Sequence, residues 1–141
     1  MEKKMPSHTD EFWDHLREKW HPDSDDPMRR ATHSILFHLR RRLPHEEVEA
    51  LFDCLPGEIV GLSFAPDFMK EHRSPLRPAE RQEDAPEFYA TVAREANLSA
   101  DEAAQATEAL FHAIKQEMRP RQIVAVASVL PKQLMQAWER A

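Results

Sequence analysis

The dipeptide Leu55-Pro56 recurs as Leu130-Pro131, 75 positions later, and the apolar residues before and after it keep that offset without a gap. Ala31-Thr32 meets Ala106-Thr107, Ile35 meets Leu110, Leu39 meets Ile114, Leu43 meets Met118, Val48 meets Ile123 and Ile59 meets Leu134. With the offset moved by one, Glu11-Phe12-Trp13 meets Glu87-Phe88-Tyr89 and Leu16 meets Val92. A chain that answers each apolar position with another in its second half is written as a tandem repeat. Stacked copies of one unit then bury faces that neither copy could bury alone. The expected organisation is one domain over 1–141, with repeat one at 8–64, a linker at 65–85 and repeat two at 86–141.

The spacing inside each unit is helical. Phe12, Leu16 and Trp20 predict a first helix over about 8–20, and Phe88, Val92 and Ala96 its partner over about 86–96. A long second helix is expected after Asp26, with Pro27 at its first position, running to Leu43. Its copy starts at Ser99, where Ser99-Ala-Asp-Glu102 has the pattern of a capping box. Pro44 and Pro120 break the chain and open a third helix, and Pro56 and Pro131 break it again before a short fourth. Leu55 and Leu130 are expected to be buried at those corners. The fold class is therefore all-α, two tandem four-helix units packed about a pseudo-two-fold.

The order of these motifs resembles the bacterial family called domain of unknown function 2267. It runs from Glu-Phe-aromatic, through a long Ala-Thr helix ending in Arg-Leu-Pro, to Glu-Glu-Val-Glu-Ala-Leu and Leu-Pro-x-x-Ile. The resemblance covers roughly residues 8–141 and implies an all-helical bacterial cytoplasmic protein. It implies no activity and carries over no catalytic residues.

Composition removes several functions. Two glycines leave no Gly-rich phosphate loop, and one cysteine leaves neither a disulfide framework nor a Cys-based zinc site. No apolar run approaches the ~20 residues of a membrane span, and the first residues lack a signal-peptide stretch, so the cytoplasm is the expected location. A net charge of −6 argues against nucleic acid held by bulk attraction.

The polar candidates are few. Glu11, His15 and Glu18 share one face of the first helix, as metal ligands would, but that face lies opposite Phe12 and Leu16 and reads as solvated. His33 and His38 lie about 140° apart around a helix and cannot chelate one ion together. The expected core stripes contain neither Glu nor His, so no catalytic, cofactor or metal residue is assigned. Cys54 is matched by Val129, which marks a packing position. Phe37 falls about 180° from the stripe of the long helix, ringed by Arg30, His33, Arg40 and Arg41. That group is the candidate partner-binding surface, suited to a protein or to a second copy of the chain; the competing reading makes the long helix central and packs Phe37 on another helix or on the second repeat. The expected function is a non-enzymatic interaction or regulatory module with no identifiable small molecule. The alternatives are an enzyme or ligand-binding protein with a polar site between the repeats, and nucleic-acid binding through the Arg-rich helix.

Overall fold

The computed structural model describes residues 8–61 and 85–141. Eight helices follow one another in these residues: α1 (His8–Arg17), α2 (Asp25–Arg42), α3 (His45–Asp53), α4 (Gly57–Gly61), α5 (Ala85–Ala96), α6 (Ala100–Gln116), α7 (Pro120–Val129) and α8 (Lys132–Arg140). No strand occurs among the described residues, and none of their helices is long and apolar enough to cross a membrane. The proposed linker, up to residue 84, lies outside the described residues.

Local chemistry sets most boundaries. Ser99 caps α6, its hydroxyl accepting from the backbone N–H of Glu102 at 3.1 Å. The helix then continues through a stretch rich in alanine, glutamine and glutamate, all good helix formers. Helix α2 has no such cap. Its first turn holds Asp25 and Asp26 and its last Arg40, Arg41 and Arg42, the charge order the helix dipole favours. It starts two residues before Pro27 rather than at it; a proline within the first turn still removes no intrahelical bond. Helix α5 ends in a left-handed residue, Asn97 at φ 59°, and the next N–H, of Leu98, returns to Ala93 O at 2.8 Å. That is the Schellman closure, here on asparagine in place of glycine. Pro44 and Pro131 immediately precede α3 and α8, Pro56 precedes α4, and Pro120 opens α7.

The helices pack across the chain more than along it. Helix α1 lies on α6 and α5 lies on α2, so each half sends its first helix onto the long helix of the other. The long helices α2 and α6 also touch, as do α3 and α7. One continuous core results, in which Phe12 and Phe88, Leu16 and Val92, Ile35 and Leu110, Leu39 and Ile114, and Leu51 and Val126 are all buried. Leu55, Leu130, Ile59 and Leu134 are buried too, as the Leu-Pro corners required. Ala31 and Ala106 supply small buried surfaces on the two long helices. Their neighbours Thr32 and Thr107 each satisfy a buried hydroxyl on the carbonyl four residues back, at 2.8 Å.

One open alternative closes and one expectation changes. Of its two readings Phe37 takes the buried one: it is 8% exposed, edge-on to His38 with ring centroids 5.2 Å apart, and Arg41 lies 5.6 Å from its centroid. The cause is that α2 packs on both α5 and α6, so residues off the apolar stripe are buried as well. For the same reason the core does hold a histidine and a glutamate, His38 and Glu95.

Candidate functional site

Two polar clusters sit where the halves meet. The first is at the seam between α2 and α5. Ser34 Oγ donates to Glu95 Oε1 at 2.6 Å, and His38 Nε2 lies 2.8 Å from the same oxygen. Ser34 and His38 share one side of α2 because they are four residues apart. Arg42, one turn further, donates to His38 O at 3.1 Å and places its guanidinium carbon 5.1 Å from the centre of the Phe88 ring. Arg30 closes the other end, donating to Glu95 O at 2.8 Å. His38 is 2% exposed and Glu95 5%, so the cluster is sealed. A buried carboxyl must be hydrogen-bonded, and this one binds the two halves together.

Ser, His and Glu in contact suggest a hydrolytic triad, but the connections differ. In a triad the histidine stands between the hydroxyl and the acid. Here the acid stands between serine and histidine, so the Ser34 hydroxyl is bonded to the carboxylate rather than to the imidazole.

The second cluster lies at the seam between α1 and α6. His15 Nδ1 is 3.1 Å from Glu18 Oε1, and His112 Nε2 is 2.8 Å from Glu18 Oε2, so each carboxylate oxygen holds one imidazole. The two rings stand edge to face, with centroids 6.3 Å apart. Glu18 is exposed, His15 half-buried and His112 16% exposed by side chain. The hydrogen bonds from His112 and then His15 hold the Glu18 carboxyl below its ordinary value of 4.5, against a smaller opposing effect of desolvation. One ligand-type atom from each of the three residues lies within 4.8 Å of the others, which suits them to hold a metal ion.

The sequence placed His15 and Glu18 on one exposed face with Glu11. The structure keeps the first two together and completes them with His112, from the other half of the chain. Helix period could not show this, since only the packing of α1 on α6 brings position 112 there. The one available signal was that His112 is the sole histidine after residue 72. Of the arginine-ringed surface, Arg40 is exposed, His33 and Arg41 are half-buried, Arg30 is engaged with Glu95 and Phe37 is buried. Cys54 is half-buried between α3 and α7, donating to Ala50 O at 3.2 Å and Gln122 Oε1 at 3.4 Å. A polar pocket of about 300 Å³ lies beside α1, α2 and α4, lined in part by Asp10, Asp14, Arg17, Asp25, Arg29 and Glu58. Arg17 spans it in part, at 3.5 Å from Asp14 and 3.3 Å from Asp25.

Among the described residues, fold and clusters together define an all-helical protein with two polar clusters between the halves of the chain. Residues 9–137 match the family described as Uncharacterized conserved protein (DUF2267), and the chain belongs to that family. No curated relative matches it.

Proposed function

We propose that the chain is a non-enzymatic interaction or regulatory module built from two four-helix units about a pseudo-two-fold. The reciprocal packing of α1 on α6 and of α5 on α2 supports the symmetry, as do the contacts between α2 and α6 and between α3 and α7. So does a finer pair. Arg30 donates to Glu95 O, and Gln105, 75 residues later, donates to Lys19 O at 3.3 Å, in the turn that follows α1.

The observation that carries the functional reading is the sealing of Ser34, His38 and Glu95. These are the residue types of acid–base and nucleophilic catalysis, and they are spent on holding α2 to α5, out of reach of a substrate. Protein contact through the remaining arginine face, Arg40 with His33 and Arg41, fits the reading. Nucleic acid fits less well, because Phe37 is buried and offers no ring for a base, and the net charge is −6. Carbethoxylation of the folded chain followed by peptide mass mapping tests the sealing. His45, 84% exposed by side chain, is expected to be modified rapidly and His38, 2% exposed, to be protected. Equal rates at the two would show that the cluster opens to solvent and would restore the catalytic alternative.

A further inference from the structure

We propose that His15, Glu18 and His112 form a binding site for a divalent transition-metal ion of the zinc class. The site goes beyond the interaction reading and does not depend on it. Two imidazoles and a carboxylate are a donor set that zinc accepts with three protein ligands, leaving a fourth position for water. Imidazole favours zinc, copper, nickel and cobalt, whereas magnesium and calcium prefer all-oxygen shells.

The geometry is close to what an ion requires. Ligand atoms about 2.0–2.1 Å from a tetrahedral zinc lie about 3.3 Å from one another. His112 Nε2 and Glu18 Oε2 are 2.8 Å apart, and His15 Nδ1 and Glu18 Oε1 are 3.1 Å apart, so those contacts need to open by only a few tenths of an ångström, while the ligand atoms of the two imidazoles lie within 4.8 Å of one another. The bridging protons would leave as the ion enters, since only unprotonated nitrogens coordinate. Glu18 is exposed, which gives the ion a way in, while His15 and His112 are partly buried and held by packed helices.

The other seam sharpens the case. By the same sequence offsets, the residues matching His15, Glu18 and His112 are Thr91, Arg94 and Phe37. Phenylalanine serves packing at that register of the long helix. An imidazole in its place turns to the carboxylate of Glu18, in the turn just after the first helix of the opposite half. Three ligating residues at one seam, where the other has none of the three, mark a feature that packing does not require.

The test is calorimetric titration of the full chain with Zn²⁺, alongside thermal melts with and without the ion. The native chain is expected to bind one equivalent and to melt at a higher temperature when loaded. Glu18→Gln, His15→Ala and His112→Phe should each weaken binding at least about tenfold. Mg²⁺ should give no comparable heat. The exposed His45–Glu49 pair, 2.9 Å apart on α3, is the rival donor set, so His45→Ala should leave the affinity unchanged. If His112→Phe fails to fold, His15→Ala and Glu18→Gln decide the matter. Undiminished Zn²⁺ binding by those two variants, or its loss on removing His45, would overturn the proposal.

Discussion

The seam of α2 with α5 and the seam of α1 with α6 join the same kinds of helix, yet they are finished differently. The first is polar inside: Ser34 and His38 on the long helix meet Glu95 on its partner, Arg42 bonds the His38 carbonyl beside them, and all four are buried. At the second, the residues 75 positions on from Ser34 and His38 are Ala109 and Ala113, both fully buried, and the residue matching Glu95 is Lys19, which is exposed. Here the polar cluster, His15–Glu18–His112, sits at the rim. A buried hydrogen-bonded acid fixes one arrangement of two helices because any other would strand it. Apolar packing with a solvent-reachable rim demands less of register and leaves its polar groups available to an ion.

The largest effect should come from making the first seam resemble the second. His38→Ala installs the residue that stands at position 113 and takes from the buried Glu95 the imidazole it is bonded to. A loss of about 3–5 kcal/mol in urea unfolding is expected, the usual cost of breaking a buried pair from one side. Replacing both His38 and Glu95 by leucine should cost less than the single change, because no buried carboxyl is then stranded, although the Ser34 hydroxyl loses its partner. A single-mutant loss below about 0.5 kcal/mol, the range of ordinary surface changes, would mean that the two seams are energetically alike.

A smaller contrast separates the starts of the two long helices. Ser99→Ala removes a cap that is formed and should cost about 1 kcal/mol. Ser24 makes no side-chain cap bond, so Ser24→Ala should change stability by less than about 0.5 kcal/mol. Equal losses in thermal or chemical denaturation would remove this difference between the halves.

The smallest effect is electrostatic and local to the rim. An NMR titration of the Glu18 carboxyl should show a midpoint below 4.5, moving back toward that value in His112→Phe. The sign follows from the lowered midpoint. Whatever this contact adds to stability is complete above 4.5 and fades as pH falls through the folded-state midpoint. A native midpoint at or above 4.5 would show that the imidazoles do not hold the carboxylate.

The parts of this fold that were legible in the sequence are those decided locally or by period. Pro44, Pro56, Pro120 and Pro131 mark where helices restart, Ser99 marks a cap, and the stripes through Ile35 and Leu110 mark the core. The seam chemistry was not legible, for two physical reasons. A helix covered on both sides buries residues its apolar stripe leaves outside, so period alone leaves the burial of Phe37 open and is silent on that of His38. And a site made by α1 and α6 joins Glu18 to His112 across 94 residues, a separation on which helical spacing is silent. Half of that site, His15 and Glu18, could be seen as one face; its third member required the topology.

The exchange of first helices has a consequence for how the chain is made. Phe12 and Leu16 on α1 find their cover on α6, whose residues are synthesised about 90 to 100 positions later. At the ordinary pace of translation, about 5–20 residues per second, that leaves an apolar helix face without its final cover for roughly 5–20 seconds. The nascent first half therefore emerges as an incomplete object, and shielding that face in the interval falls to temporary contacts within the half or to chaperones of the host.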